Sequence, residues 1–455
     1  MDTPRKLIVI GGTAAGLSAA SKAKRLNRTL EVTVFERSGY ISYGACGLPY
    51  FLGGIIEDHT SLIAVTAEEM TMKRGITVHT HTEITSIDRT TKAVTAKNLT
   101  NGKESKYYYD DLMIATGAEA IIPPIKGADL KNVHVLRNIE DGIAIRNALK
   151  AAKKACIIGG GVIGLEVAEQ LIETGLTVTL IEAMSSLLPT LPLPYSTKIY
   201  EEIQNHGGDV YLDTRLEELL GVEGRVHAVK TNNGDLIECD LVIIAVGVRP
   251  ATNLARKSGL ELGIKGSIVV DEFQRTSDPS IWAAGDCTQM KHLLTGKPYY
   301  APLGTTANKG GRVAGSNIGG EASKFPGVLG SLVTKIFNLY VATTGLSLTE
   351  AIAAGFNAVE RSIIKDDKAS YYPGGKPTYL TLVFEKHSGR ILGAQGIGPE
   401  SVSGRINLLV SAITMGMNVF QLNDLDLLYT PSVAPVYDPI LIAAAQAIKQ
   451  VEDVQ

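Results

Sequence analysis

The chain has 455 residues, among them 47 glycines and four cysteines, with 45% hydrophobic and 6% aromatic residues and a formal net charge of −3. A chain of this length is too long for one ordinary hydrophobic core, so we expect two or three domains. The many glycines, which suit tight turns, and the few aromatic residues favour an α/β protein. The charge argues against a nucleic-acid partner, no apolar run is long enough to span a membrane, and the cysteines are too widely spaced for a zinc site.

The N-terminal segment predicts a strand, a glycine turn and a helix. Residues 7–10, LIVI, suit a parallel strand buried on both faces, and small apolar residues recur at helical spacing after the turn. A second strand, VTVFE, ends in an acidic residue. In such a unit the helix N-terminus holds a pyrophosphate and the acidic residue bonds a ribose hydroxyl, although Thr13 replaces the middle glycine of the pattern. The predicted dinucleotide site contains Gly11, Gly12, Ala14, Ala15, Gly16, Glu36, Arg37 and Ser42.

The same pattern occurs again between residues 155 and 182. The stretch ACIIGGGVIGLEVAEQLIETGLTVTLIE has all three glycines of the pattern, with Gly175 as a helix C-cap and Glu182 at the end of the next strand. Because Ala183 and Met184 follow Glu182, rather than an arginine, we expect an unphosphorylated ribose and therefore NAD(H). Two such units predict two bound dinucleotides. The second site contains Gly159, Gly161, Val162, Ile163, Gly164 and Glu182.

Three further motifs follow in a characteristic order: IATGA at 114–118, AVGVRP at 245–250 and SIWAAGDC at 280–287. Together with the two glycine turns, they make the chain resemble the FAD-dependent pyridine nucleotide-disulfide oxidoreductases. The resemblance implies FAD in the first unit, NAD(P)H in the second, and contact between Asp286 and the ribityl or phosphate region of the flavin. The cofactor-binding residues that it adds are Thr116, Gly117, Gly247 and Asp286.

The resemblance also implies a glutathione-reductase-like α/β fold, with two Rossmann-like doubly wound nucleotide-binding domains and a C-terminal α+β dimerisation domain. We expect a discontinuous FAD-binding domain in residues 1–115 and 246–325, an NAD(H)-binding domain in 116–245 and a dimerisation domain in 326–455. In the last of these, PTYLTLVFEKHSGRILGAQGIG predicts two strands around a Ser-Gly turn, and VSGRINLLVSAITMGM predicts a helix. We therefore expect a homodimer.

Cys46 lies in SYGACGLPY, shortly after the second predicted strand. A cysteine in an apolar stretch can be an inert, buried hydrophobe. Ile41 stands where relatives with a C-x-x-x-x-C pair have their other cysteine, so Cys46 would act alone, through a mixed disulfide with a small thiol. The segment resembles the S-x-x-x-C-G-x-P-Y segment of coenzyme A disulfide reductases, with Ser42 and Cys46 matching. This likeness implies a catalytic Cys46 whose thiolate is stabilised between the flavin and a helix start.

In that subgroup, two tyrosines of the third domain assist the departing thiolate across the dimer. ASYYPGGKP resembles their tyrosine-tyrosine-proline-glycine segment and nominates Tyr371. LLYTPSVAPVYDP resembles their tyrosine-x-proline segment and nominates Tyr429, although Ser432 stands where many relatives have a second proline. For each tyrosine, simple packing is the alternative role.

The phosphates of coenzyme A call for cations in the predicted substrate site. In the first helix, Lys22 and Arg25 fall where coenzyme A disulfide reductases place a polar residue and an arginine, and ANKGGR supplies three more polar side chains. A solvated helix face is the alternative explanation. The predicted substrate-binding residues are Lys22, Arg25, Ser42, Asn308, Lys309 and Arg312.

These features predict a reductase that passes hydride from NADH through FAD to Cys46, which reduces coenzyme A disulfide or a related persulfide or polysulfide. An NADH oxidase or peroxidase is the alternative, although such enzymes carry a histidine where this chain has Ala14. A flavoprotein that mainly binds NADH and a protein partner is the third hypothesis. We expect a cytoplasmic homodimer that uses FAD, NAD(H) and coenzyme A, without a metal, a nucleic acid or a membrane.

Overall fold

A computed structural model describes residues 4–452 of the chain. Its first part combines parallel strands, covering helices and a small antiparallel sheet. The elements are β1 (Lys6–Ile10), α1 (Ala14–Leu26), β2 (Glu31–Phe35), a 3-10 turn (Ala45–Gly47), α2 (Leu48–Leu52), a second 3-10 turn (His59–Leu62), α3 (Ala67–Arg74), β3 (Ile76–His79), β4 (Thr82–Asp88), β5 (Ala93–Asn98), β6 (Glu104–Tyr108) and β7 (Asp111–Ile114). Strands β4, β5 and β6 form the antiparallel sheet. The predicted strands at 7–10 and 32–36 are confirmed as β1 and β2.

The second part repeats this plan. Its elements are β8 (Ala118–Ala120), β9 (Val133–Val135), α4 (Ile139–Leu149), β10 (Lys154–Ile158), α5 (Val162–Glu173), β11 (Thr177–Ile181), α6 (Leu193–Asn205), β12 (Asp209–Tyr211), β13 (Leu216–Val222), β14 (Arg225–Thr231), β15 (Leu236–Glu238), β16 (Leu241–Ile244) and β17 (Val248–Pro250). Strands β13, β14 and β15 form the antiparallel sheet of this part. Strands β8 and β17 pair with each other where the chain enters and leaves it.

The chain then returns to the first part. The returning elements are α7 (Asn253–Lys257), a 3-10 turn (Ile264–Gly266), β18 (Ile281–Ala283), β19 (Met290–Lys291), β20 (Pro298–Tyr299) and α8 (Gly304–Ile318). Strand β18 completes a parallel sheet of order β18-β7-β1-β2-β3, and the second part holds a parallel sheet of order β9-β16-β10-β11-β12. The two orders are equivalent strand by strand, which is the doubly wound arrangement that the duplicated motif predicted.

The third part is an antiparallel sheet covered by helices. Its elements are β21 (Leu332–Ile336), β22 (Leu339–Gly345), α9 (Leu348–Ala353), β23 (Ala358–Asp366), β24 (Pro377–Glu385), β25 (Ile391–Gly398), α10 (Ser401–Thr414), α11 (Val419–Asn423) and α12 (Pro439–Ile448). The sheet order is β21-β22-β25-β24-β23, and every residue of β25 is buried. Apolar side chains of α10 and α12 pack with those of β24 and β25 in one core. The predicted hairpin and the helix that follows it are confirmed.

Close helix packing positions the predicted substrate side chains. A Cβ added at Gly311 of α8 would lie 2.3 Å from the carbonyl oxygen of Ala15, and one added at Gly315 would lie 2.5 Å from that of Ala19. Only glycine therefore permits this approach between α8 and α1. The contact brings the polar faces of the two helices together at one edge of the first part.

Within residues 4–452, no helix is both long and apolar enough to cross a membrane. The same residues contain no cluster of three histidine, cysteine or acidic side chains that could hold a metal ion.

Candidate functional site

The first glycine turn leaves the start of α1 free of side-chain caps. Thr13 is the N-cap residue, but its side chain accepts no backbone hydrogen bond, and the first turn contains no acidic residue. A Cβ at Gly16 would lie 1.9 Å from the carbonyl oxygen of Gly11, so the turn can close only with glycine there. By contrast, α3, α4, α9 and α11 all begin with capping boxes. The amides at the start of α1 thus remain available to an anion.

Glu36 lies directly beside this turn. Its side chain is buried, and its two carboxylate oxygens accept hydrogen bonds from the N–H groups of Gly12, at 2.7 Å, and Ser38, at 2.9 Å. These bonds fix the carboxylate at the carboxyl end of the parallel strands, where a ribose would lie. Arg37, which follows it, is exposed.

The second glycine turn has the same construction. Gly161 is the N-cap residue of α5, again without a side-chain cap, and Val162 and Ile163 open the helix. A Cβ at Gly164 would lie 1.9 Å from the carbonyl oxygen of Gly159. Glu182 accepts hydrogen bonds from the N–H groups of Gly160, at 2.6 Å, and Met184, at 2.8 Å. The helix ends at Glu173 with Thr174 as its C-cap residue, so the predicted C-cap, Gly175, lies one residue beyond it, with φ 87°.

Both turns fit the pyrophosphate and ribose of a dinucleotide. Each offers an uncapped helix start, a last glycine too close to the backbone for any side chain, and a carboxylate that accepts the N–H of the residue after the first glycine. The backbone N–H groups at each helix start can donate hydrogen bonds to phosphate oxygens, and the carboxylate can accept hydrogen bonds from ribose hydroxyls.

Three of the remaining cofactor candidates lie where the chain passes between the first and second parts. The Thr116 hydroxyl donates a 2.6 Å hydrogen bond to the carbonyl of Ala251, and the Gly247 carbonyl accepts one from the N–H of Ile121 at 3.0 Å. Gly117 has φ 70°, a left-handed conformation that glycine adopts freely. The hydrogen bonds of Thr116 and Gly247 therefore hold together the two segments that connect the first and second parts.

The fourth of these candidates, Asp286, forms an ion pair that the sequence did not reveal. Its carboxylate lies 2.7 Å from Nη2 of Arg137, a residue of the second part. The Nε of Arg137 also donates to the carbonyl of Ala118 at 3.1 Å. The two parts are thus linked through Arg137 close to the end of β18.

Cys46 is exposed, whereas Cys156, Cys239 and Cys287 are buried, and all four are free thiols. It lies in the 3-10 turn just before α2. Ser42, earlier in the same loop, donates its N–H to the carbonyl of Gly12 at 2.9 Å. The cysteine-bearing loop is therefore tied to the first glycine turn.

The protein groups around Cys46 shift the pKa of its thiol in both directions. Protein atoms that crowd one side of the exposed residue raise the pKa of the Cys46 thiol, and the negative charges of Glu166 and Asp286 raise it further. The Arg137 guanidinium lowers it. Among the charged side chains, Arg137 is thus the group that favours the thiolate.

A cavity of about 280 Å³ lies between α1, α3 and α8. It brings together five of the six predicted substrate-binding residues, including Ser42 from the cysteine-bearing loop; the five are Lys22, Arg25, Ser42, Asn308 and Arg312. Lys309 is not among the lining residues and stays a prediction. Arg74, Ser18 and Ser21 also line the cavity, and no motif in the sequence singled them out.

Hydrogen bonds connect the side chains of this cavity. The Ser18 hydroxyl donates to Oδ1 of Asn308 at 2.7 Å, and Nη1 of Arg74 donates to Oγ of Ser21 at 3.1 Å. Lys22 forms an ion pair with Glu321 at 2.7 Å. Because Arg25, Arg74 and Arg312 add three further positive charges, the lining has an excess of positive charge that suits phosphate groups.

Tyr371 and Tyr429, which are 58 residues apart in sequence, meet in the third part. Their hydroxyl oxygens are 2.9 Å apart, and both side chains are exposed. The hydrogen bond to Tyr371 raises the pKa of Tyr429. Large apolar side chains of the segment that carries Tyr429 are also exposed, namely Leu428, Val433, Val436 and Tyr437. An exposed apolar patch of this kind marks an interaction surface.

The comparisons with known proteins agree with this geometry. Residues 5–305 match the family model of pyridine nucleotide-disulphide oxidoreductases, and residues 333–438 match the model of their dimerisation domain. An NADH oxidase of Methanocaldococcus jannaschii is 36% identical over 98% of this chain and 100% of the relative. A CoA-dependent NAD(P)H sulfur oxidoreductase of Pyrococcus furiosus is 38% identical over 97% of this chain and 98% of the relative.

Among solved structures, reduced CoADR-RHD of Bacillus anthracis superposes with a TM-score of 0.96 and 34% sequence identity, covering 99% of this chain and 81% of that one. The family models, the relatives and the structural match extend over the glycine turns, the cysteine-bearing loop and the tyrosine-bearing part alike. The chain therefore belongs to the pyridine nucleotide-disulphide oxidoreductase family.

Proposed function

We propose that the chain is an NADH-dependent flavoprotein reductase of coenzyme A disulfide or of a related coenzyme A persulfide or polysulfide. One observation carries the proposal: the exposed Cys46 shares its loop with Ser42, which lines a cavity rich in positive charge. An exposed lone cysteine suits exchange with a small disulfide, and the cations suit the phosphates that coenzyme A carries. The names of the Pyrococcus furiosus relative and the Bacillus anthracis structure point to the same substrate class.

The two glycine turns would hold the cofactors, FAD at Gly11 to Gly16 with Glu36, and NAD(H) at Gly159 to Gly164 with Glu182. When bound, FAD supplies the two-electron transfer from NADH that returns the cysteine to its reduced form. We propose NADH rather than NADPH because an acidic side chain at Glu182 favours a free ribose hydroxyl and opposes a phosphate.

The chain itself would carry out the sulfur exchange. The Cys46 thiolate attacks one sulfur of the substrate disulfide, so that the Cys46–sulfur bond forms while the substrate sulfur–sulfur bond breaks and one thiolate leaves. Arg137 favours the thiolate form of the nucleophile. Tyr371 and Tyr429 would donate a hydrogen bond or a proton to the leaving thiolate, which is a role that a paired phenol can fill.

We further propose a homodimer in which each tyrosine pair serves the Cys46 of the partner subunit. The exposed apolar residues around the pair and the match to a dimerisation domain support this arrangement. A cytoplasmic location is part of the proposal, since all four cysteines are free thiols and NADH is the donor.

The domain limits predicted from the sequence also remain proposals. They are 1–115 with 246–325 for FAD, 116–245 for NAD(H) and 326–455 for dimerisation, and the membership of the three five-stranded sheets supports them. Residues 1–3 and 453–455 lie outside the described part of the chain.

NADH oxidase activity is the second candidate, favoured by the name of the Methanocaldococcus jannaschii relative. The first glycine turn argues against it, because Ala14 stands where oxidases of this group have a histidine acid. In a sealed anaerobic assay an oxidase would stop consuming NADH, whereas a disulfide reductase would continue at full rate.

The deciding experiment compares Cys46→Ser with Cys239→Ala, a change at a buried cysteine, in anaerobic assays with NADH and coenzyme A disulfide. We expect Cys46→Ser to lower disulfide turnover by at least about 1,000-fold while NADH still reduces an artificial dye, because only the sulfur exchange needs the thiol. Undiminished turnover would refute the role of Cys46. Mass spectrometry of acid-denatured enzyme would then identify the group on Cys46, with coenzyme A supporting the proposal and sulfenic acid supporting the oxidase.

A further inference from the structure

Each of the two tyrosines lies in an irregular loop of the third part. Tyr371 is in the loop 367–376, between β23 and β24, and Tyr429 is in the loop 424–438, between α11 and α12. The first loop is closed at its base, where the Asp367 N–H donates to the Lys376 carbonyl at 2.9 Å and the Asp367 carboxylate accepts the Lys376 N–H at 2.8 Å. Neither loop has a regular element of its own to fix its tip.

Arg405, on α10, contacts the bases of both loops. Its Nε and Nη2 both donate to Oδ2 of Asp438, at 3.0 and 2.8 Å, and Nε also contacts Oδ1 at 3.2 Å. Nη2 donates as well to the backbone carbonyl of Asp367 at 3.3 Å. Its Nη1 donates to Oγ of Ser401 at 2.7 Å. Arg405 is only 7% exposed and Asp438 only 6%, so the arrangement is shielded from water.

The tips of the loops meet above this anchor. The Ala369 N–H donates to the carbonyl of Pro431 at 3.3 Å, and the two tyrosine hydroxyls lie 2.9 Å apart. Asp438 also caps α12 by accepting the Ile440 N–H at 2.9 Å, so the second loop ends at a fixed point. One guanidinium therefore joins the bases of the two loops whose tips carry the tyrosine pair.

We propose that Arg405 is a positioning residue that sets the separation of the Tyr371 and Tyr429 hydroxyls and thereby the rate of disulfide reduction. The inference rests on the proposed role of the tyrosines. A planar guanidinium can direct two N–H groups at one carboxylate and still reach a carbonyl, whereas a lysine ammonium offers no such fork. Arg405→Lys should thus keep the buried charge and lose the alignment of the loops.

The test is a mutant cycle in the full-length holoenzyme: Arg405→Lys, the double variant Tyr371→Phe/Tyr429→Phe, and all three changes together. We expect Arg405→Lys to lower kcat for coenzyme A disulfide by about tenfold, with the KM for NADH and the rate of dye reduction unchanged. In the background without the two hydroxyls, the same change should lower kcat less than about twofold. Arg361→Lys is the matched control, because Arg361 bonds Gln446 of α12 and neither loop base.

The outcomes separate the two proposals. An equal loss of kcat in both backgrounds would overturn the positioning role and leave the tyrosine role intact. Full activity of the double phenylalanine variant would overturn the tyrosine role and the inference together. If Arg405→Lys does not fold, Asp438→Asn replaces it, since that change keeps the shape of the partner and weakens the same contact; strict additivity with the tyrosine changes would again overturn the inference.

Discussion

The two glycine turns, at residues 11–16 and 159–164, begin equivalent sheets but differ at their middle position. The first turn has Thr13 where the second has Gly161. A Cβ at Gly161 would meet no atom within 4 Å, and its φ of −80° is open to any residue. In both turns, by contrast, a Cβ on the third glycine would lie 1.9 Å from a carbonyl oxygen.

This difference distinguishes the glycines that the fold requires from the glycine that a bound dinucleotide requires. The outer glycines serve the close approach of helix and strand in both turns. The middle glycine meets no demand of the fold, so its presence in the second turn and its absence in the first reflect how each dinucleotide approaches. We therefore expect substitutions at the outer and middle positions to have different consequences, and the following predictions test that expectation.

The largest effect should come from the third glycine of each turn. Gly16→Ala and Gly164→Ala both place a methyl group against a carbonyl oxygen, and we expect each to cost about 3 kcal/mol or more of stability. Thermal unfolding of the holoenzymes would measure the loss. Gly161→Ala is the matched control and should unfold near the wild-type temperature. If Gly164→Ala unfolded at the wild-type midpoint temperature, the proposed distinction between outer and middle glycines would be wrong.

Exchanging the middle residues should change binding rather than stability. We expect Gly161→Thr to raise the KM for NADH by about tenfold, because the added side chain occupies the approach of a pyrophosphate, while stability changes by no more than about 0.5 kcal/mol. The reciprocal change, Thr13→Gly, should leave the FAD content of the purified protein unchanged. Loss of FAD from Thr13→Gly would show that the middle position matters equally in both turns.

The carboxylates beside the turns test cofactor choice. Glu182→Ala should raise the KM for NADH by up to about tenfold, and that for NADPH less, because the lost carboxylate also repels a ribose phosphate. Steady-state kinetics with both donors would measure the difference. Glu36→Ala provides the comparison in the first turn, where we expect weaker retention of FAD and no change in donor preference. An equal rise for both donors would remove the argument for NADH.

The smallest effect concerns the link between the two parts. Arg137 lowers the pKa of Cys46, so Arg137→Gln should raise that pKa, both by losing a positive charge and by leaving Asp286 unpaired. Since the thiolate is the nucleophile, the rising limb of kcat/KM for the disulfide should move to higher pH. Arg249→Gln, which breaks an exposed ion pair with Glu119, is the control. A limb that stayed in place or moved to lower pH would contradict this role of Arg137.

The sequence predicted those features that depend on local spacing. Strand β1, both glycine turns and the hairpin of β24 and β25 follow from residues that are close together along the chain, and each is present in the structure. The antiparallel sheets β4-β5-β6 and β13-β14-β15 were not predicted. Their strands are largely polar on one face and carry no distinguishing motif.

The parts of the site that sequence reasoning missed depend on contacts between distant segments. Arg74 ends α3 and Arg137 precedes α4, so neither has a motif that connects it with the cysteine-bearing loop. For α8 a signal was available: Asn308 and Arg312 are four residues apart and share one helix face, whereas Lys309 is turned about 100° from Asn308.

The glycine contact between α1 and α8 has a consequence for redesigning selectivity. The close spacing of α1 and α8, which both border the charged cavity, depends on Gly311 and Gly315. The chemistry of the cavity depends on side chains at its edge, such as the exposed Arg25 and Arg312. Exposed positions usually tolerate exchange within about 0.5 kcal/mol. A library of variants at these edge positions could therefore be screened for activity with disulfides of other thiols, while the packing of the two helices stays unchanged.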